Sequence, residues 1–276
     1  MQQEQGRIFS MDFADSVEVT DALKVKYKDN YNQLGLNAYI KNIKGCQTGE
    51  EGVQLRIFQD IGTIRDKGYC VDFGAGDGIY LSSTRMLRED LGFNSLLMDG
   101  ATTGTGNAKS SISKLVKSEF ITAGNINNLF EKYQVPEEFD FLSVDIDGNE
   151  FYVMREILKQ YRPNVIQCET NPHIKPELAI TIPYKKDWVL KPINMYYGVS
   201  LAAMTKLVNY YGYTLVCTCE FNAIYLRNEL VNKLTVYIPH INNVEKMYKC
   251  NTISFPNWID TLNREWVWVT DDLVKQ

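Results

Sequence analysis

The chain has 276 residues, 45% of them hydrophobic, with a formal net charge of −5 and a pI near 5.3. That is enough apolar material for one large α/β domain with additions, and the acidic balance without long Lys/Arg runs disfavours a nucleic-acid partner. No stretch approaches the ~18 apolar residues of a membrane span, the six cysteines contain no C-x-x-C pair, and the polar start has no apolar signal core. The expectation is a soluble cytoplasmic protein with reduced core cysteines and no membrane partner.

Residues 1–68 read as an N-terminal appendage with helical patches such as 55–64, broken by Gly35, Gly45, Gly49 and Gly52. From Tyr69 onward apolar runs recur at 69–73, 95–98, 120–122, 139–144, 165–168, 213–217 and 223–226. Most are separated by helix-length segments, which predicts a parallel sheet with helices on both faces. Helices are expected at 79–89, 149–161 and 200–211, the last stopped by Gly212. Only about five residues, 218–222, separate the last two strands. A parallel crossover needs a dozen or more, so this connection must be a hairpin. The closing segment 229–276 is irregular, and its Tyr237, Phe255, Trp258, Trp266 and Trp268 are expected to pack on the domain or at a partner. A homo-oligomer is compatible with that.

The first run ends in Asp72-Phe-Gly74-Ala-Gly76-Asp77-Gly78. Such a turn lets a ligand approach backbone N–H groups with no Cβ in the way. The second run ends in Asp99-Gly100, where a carboxylate could accept both hydroxyls of a ribose. The third leads to Asn125-Ile126. There the asparagine could cap the next helix, and the isoleucine could cover an adenine ring.

The fourth run ends in Asp145-Ile-Asp147-Gly-Asn149, and the fifth in Glu169-Thr-Asn171-Pro172-His173. Two carboxylates at the end of a buried strand repel unless a cation, a proton or a helix N-terminus compensates. Capping of the following helix by Asp147 or Asn149 is the alternative. Asp145 or Asp147 would face Glu169 and Asn171, and such an oxygen-only set, Asp145, Glu169 and Asn171 in the first instance, suits Mg²⁺. Without a metal, one group could act as general base while others bind sugar hydroxyls. His173 is a further candidate base, set against an ordinary loop histidine. The segment between the fifth strand and Ser200, with Tyr184, Lys185, Tyr196, Tyr197 and Pro176, Pro183 and Pro192, is expected to be an ordered lid or acceptor-binding loop.

Together, Asp72-Phe-Gly-Ala-Gly-Asp-Gly78, Leu142-Ser-Val-Asp-Ile-Asp-Gly-Asn149, Glu169-Thr-Asn-Pro172 and Tyr197-Gly-Val-Ser-Leu-Ala202 resemble FkbM-type S-adenosylmethionine-dependent methyltransferases over residues 69–228. The resemblance implies a class I (Rossmann-like) fold, a seven-stranded mostly parallel sheet with a terminal antiparallel hairpin. It further implies O-methylation of a sugar, glycan or small polyhydroxylated acceptor. By position, Asp72, Gly74, Gly76, Asp77, Asp99, Gly100, Asn125, Ile126 and Asp145 would serve the cofactor. Asp145, Asp147, Glu169 and His173 would serve the methyl acceptor, with Mg²⁺ as an optional second cofactor. The flanks 1–68 and 229–276 carry no such likeness. A nicotinamide-dependent oxidoreductase is disfavoured by the hairpin and by Ile79 standing where a G-x-G-x-x-G pattern needs glycine. A non-catalytic binding module is disfavoured by the carboxylates.

Overall fold

A computed structural model describes residues 35–63, 66–100, 114–190, 195–249 and 264–276. Expectations for Cys250, Phe255, Trp258, Pro192 and most of the N-terminal segment lie outside the described residues.

The main sheet contains β1 (Tyr69–Phe73), β2 (Asn94–Asp99), β3 (Val116–Ser118), β4 (Glu138–Val144), β5 (Arg162–Glu169), β7 (Tyr213–Cys219) and β8 (Asn222–Arg227). Their order is β3-β2-β1-β4-β5-β8-β7. The first five are mutually parallel, and β8 runs antiparallel to both β5 and β7. This is the expected mostly parallel α/β sheet with a terminal hairpin. The hairpin is tighter than the sequence implied: Cys219 pairs with Asn222, leaving Glu220-Phe221 as a two-residue turn. Glu220 there takes a φ of 50°.

The central strands are apolar on both faces because helices cover both. Among the described residues the α-helices are α1 (Glu50–Ile61), α2 (Arg85–Glu89), α3 (Ile126–Lys132), α4 (Glu150–Leu158), α5 (Leu201–Tyr210), α6 (Asn228–Val231), α7 (Val244–Met247) and α8 (Asp271–Lys275). On α1, Val53, Ile57 and Phe58 are fully buried, and Phe58 meets Phe93 and Phe141 edge-on at centroid distances of 5.4 and 6.2 Å. Gln54 extends the contact in polar form, donating to Gln167 Oε1 at 2.8 Å and to the Ser83 carbonyl at 3.1 Å. A two-stranded ribbon joins β6 (Ile180–Thr181) to β9 (Val267–Trp268), so the C-terminal segment packs beside the chain that follows β5. Lys206 on α5 pairs with Asp271 on α8 at 2.8 Å.

Two expected elements moved. The third strand lies at Val116–Ser118 rather than 120–122. It is an edge strand with two exposed residues of three, so hydrophobicity does not mark it. The following residues form a turn braced by Asn125, which accepts from the Thr122 N–H and donates to the Phe120 carbonyl. The helix expected from Ile79 begins only at Arg85. Asp77 Oδ1 takes the N–H groups of Ile79 and Tyr80, and Leu81 sits at a φ of 56°. Such local side-chain bonds compete with helix.

Sheet order reverses direction between β1 and β4, which is where ligands bind in open parallel sheets. Phe73 pairs with Val144, and Val144 with Cys168. Register alone therefore brings Gly74, Asp145 and Glu169 to one rim.

Candidate active site

At that rim β1 gives way to a turn in which Gly74, Gly76 and Gly78 all have positive φ (71°, 57° and 75°). A Cβ on Gly74 would overlap the carbonyl oxygen of Asp145, so glycine is what lets the ends of β1 and β4 meet. A Cβ on Gly76 would meet no atom within 4 Å. Gly76 faces open space, and its N–H donates to Asp99 Oδ2 at 2.8 Å. Gly100 lies under Phe120, where an added Cβ would come within 2.9 Å of the ring. Phe120 itself is solvent-exposed.

Four other expected cofactor contacts are turned to internal work. Asp72 is buried and accepts from Ser82 Oγ at 3.1 Å and Thr84 Oγ1 at 2.8 Å, anchoring the loop before α2. Burial raises its pKa, and these hydroxyls partly offset the rise. Asp77 is held by the Tyr80 and Ile79 N–H groups, which lower its pKa. Asn125 stands at the N-terminus of α3, yet its side chain braces the preceding turn instead of capping the helix. Ile126 is fully buried in the main core, so it presents no surface to a ring. The exposed aromatic ring in this part of the chain is Phe120 instead.

The carboxylates converge. One oxygen from each of Asp145, Asp147 and Glu169 lies within 4.8 Å of the others. Asp145 is pushed up to about 7, by burial first and then by the charge of Asp147. Glu169 is raised well above the usual carboxylate range, by burial first and then by the neighbouring Asp145. Asp147 is raised by burial and then by Asp99. Glu169 Oε2 is sealed from solvent and accepts no hydrogen bond.

Asn171 and His173 do not join this group. The Asn171 side chain donates to the carbonyls of Met195 and Tyr197, and its oxygen accepts from the His173 N–H at 3.0 Å. The oxygen expected to bind a metal is thus committed to a turn, and Asp147 stands in the cluster in its place. His173 is half-buried, and burial lowers its pKa. The turn that carries it is tied to Tyr248, whose hydroxyl donates to the Pro172 carbonyl at 2.7 Å.

Two residues at the site, Glu150 and Trp188, escaped sequence reasoning, while Tyr197 was expected only as part of an acceptor-side loop. Glu150 is fully buried and pushed up to about 8 by burial. Its Oε1 accepts from the Gly148 N–H at 2.7 Å and the Ile146 N–H at 3.1 Å, and Oε2 accepts no bond. Its position carried a signal. Glu150 shares the buried face of α4 with Val153, Met154 and Ile157, at helical spacing. Tyr197 is buried near the cluster, its pKa raised by burial and then by Glu169 and Asp145. Trp188 donates from Nε1 to the Asp147 carbonyl at 2.9 Å, and no local pattern announces that.

A family model described as the methyltransferase FkbM domain matches residues 16–215. The chain belongs to the FkbM methyltransferase family. Two solved structures are similar to this FkbM domain at low identity. One is phosphoethanolamine N-methyltransferase 2 of Haemonchus contortus in complex with S-adenosyl-L-methionine, 15% identical over 71% of this chain and 44% of its own, with a TM-score of 0.34. The other is the CMeT domain of the citrinin polyketide synthase, 11% identical over 80% of this chain and 58% of its own, with a TM-score of 0.35. The FkbM domain thus spans about half the length of these solved chains. No curated protein matches it.

Proposed function

We propose that this chain is an S-adenosylmethionine-dependent O-methyltransferase acting on a hydroxyl of a sugar, glycan or other small polyhydroxylated acceptor. The observation that carries the reading is the meeting of Asp145, Asp147 and Glu169 directly beside the Gly74 turn. In this reading the open face at Gly76 receives the cofactor. Asp99, whose Oδ2 accepts from the Gly76 N–H at that face, would accept from its ribose. The methyl carbon passes in line from sulfonium to acceptor oxygen, leaving S-adenosylhomocysteine, and the hydroxyl proton goes to a carboxylate of the cluster. Orientation of the two reactants supplies about 7–11 kcal/mol of the barrier. A general base near neutral pKa suits the proton step, and Asp145 at about 7 has that character.

The three carboxylates also fit Mg²⁺, a hard cation held by few oxygen ligands. Asp145, Asp147 and Glu169 would hold it, relieving their mutual repulsion. Such an ion lowers the pKa of a hydroxyl it contacts. We further place the protein in a reducing, cytoplasmic compartment without nucleic-acid or membrane partners. Its five described free cysteines are all buried, and among the described residues no helix is long and apolar enough to cross a membrane.

Calorimetry with S-adenosylmethionine and S-adenosylhomocysteine is the first test, and binding of neither would remove the reading. Methyl transfer to a saccharide panel, followed by mass spectrometry, is the second. Asp145→Asn should lose at least ~100-fold in kcat, the low end of a general-base contribution. Unchanged transfer would dismiss Asp145 as the base. Cofactor binding without transfer to any acceptor would favour a non-catalytic module.

A further inference from the structure

The loop from Asp145 to Asn149 carries two of the three clustered carboxylates, and Asp147 holds a left-handed φ of 56°. A non-glycine residue keeps such a conformation only where its surroundings impose it. Two side chains impose it here, from opposite ends of one peptide unit. The Asp147 carbonyl accepts from Trp188 Nε1 at 2.9 Å, and the N–H of the same unit, on Gly148, donates to Glu150 Oε1 at 2.7 Å. The indole also rests on Gly148, where any Cβ would overlap the ring.

The indole is itself fastened. The Trp188 N–H donates to the Lys185 carbonyl at 3.0 Å, and Asn149 Nδ2 donates to that same carbonyl at 2.8 Å. Tyr196 stands edge-on to the indole at a centroid distance of 5.7 Å. Each residue of Asp147-Gly148-Asn149 therefore has a task toward the segment before α5. Asp147 offers its carbonyl, Gly148 the seat for the ring, and Asn149 the tie to Lys185.

We propose that Trp188 is a positioning residue for Asp147. It fixes the 147–148 peptide, and through it the direction of the Asp147 carboxylate toward Asp145 and Glu169. The inference rests on the functional reading above for its relevance to methyl transfer, and on geometry alone for its structural content.

Trp188→Phe keeps a ring on Gly148 and removes the indole N–H. Its crystal structure beside that of the wild type is the direct test. The expected result is that Asp147 leaves the left-handed region and its carboxylate withdraws from Glu169. Retention of the wild-type φ and carboxylate position would overturn the proposal. Calorimetry with Mn²⁺ and with S-adenosylhomocysteine on both proteins gives a functional readout. Mn²⁺ affinity should fall about tenfold, the low end for groups that orient metal ligands, with S-adenosylhomocysteine affinity unchanged. A merely structural role would move both affinities or neither, and either result counts against the proposal. A wild type that binds no Mn²⁺ removes the metal reading alone, and the paired crystal structures still decide the role of Trp188. Should Trp188→Phe fail to fold, Gly148→Ala displaces the indole from the other side and is read by the same structures.

Discussion

At the scale of single residues, the site depends on a few positions where only one chemistry fits. Gly74 is the clearest. It needs both a positive φ and the absence of a Cβ, because the Asp145 carbonyl occupies that space. Gly74→Ala should cost about 3 kcal/mol or more, combining backbone strain with overpacking between two central strands. It should also abolish cofactor binding. Denaturant unfolding and calorimetry check the two effects, and a stable variant that binds normally would contradict the geometry. Gly74 was legible in the sequence because glycine at that spacing has few other uses after a strand. Ile126 was not. An apolar residue after a strand reads the same whether it covers a ligand or fills the core, and only packing around α3 assigned it to the core. Asn171 misled for a related reason. An amide oxygen two residues after Glu169, at the end of a strand beside the one that ends in Asp145, is a metal ligand on paper, but here the His173 N–H takes it.

At the scale of elements, register did most of the work. Val144 opposite Cys168 makes Asp145 a neighbour of Glu169 without any special side-chain interaction. The apolar runs that became β1, β4 and β5 were long enough to read directly because strands covered on both faces are continuously hydrophobic. The edge strand β3 and the delayed start of α2 were not readable, since exposed edges and side-chain-bonded turns carry no periodicity. The helix α5 was expected from Ser200 onward, and the structure shows why it starts there. Ser200 Oγ accepts from the Ala203 N–H at 3.1 Å and also from the Ile180 N–H at 3.1 Å, joining the helix to β6. Ser200→Ala should lower stability by about 1–3 kcal/mol, a lost cap plus a buried N–H left unpaired. Urea unfolding checks it. A change below a few tenths would show that water replaces the hydroxyl.

At the scale of the whole molecule, the fold concentrates acid where its strands end, and stability should register that. Asp145 at about 7 and Glu150 at about 8 lie above the ordinary range near 4. Between pH ~4 and ~8 the native state therefore binds more protons than the unfolded state. By linkage these groups make stability fall as pH rises through that window. In metal-free buffer, the advantage of Asp145→Asn over the wild type should be larger near pH 8 than near pH 5. Urea unfolding at both pH values measures this, and a wild type that gains on the variant with rising pH would refute it. A divalent cation bound to the native cluster should remove part of the deficit at pH 8, because a ligand specific to the native state stabilises it.

The sequence by itself determined the class of the fold, the glycine turn and the presence of acidic residues at the ends of the fourth and fifth strands. Those features are written locally, in runs of apolar residues and in residue types with few alternative uses. The tertiary structure alone decided which polar atoms remain available after folding. It withdrew Asn171, Asn125 and Asp72 into internal hydrogen bonds, set Glu150 and Trp188 on either side of the Asp147–Gly148 peptide, and left Asp145, Asp147 and Glu169 together. The reason is physical. A side chain's availability depends on which neighbours reach it first, and those range from the adjacent turn, as for Asn125, to a segment 41 residues on, as for Trp188 at Asp147.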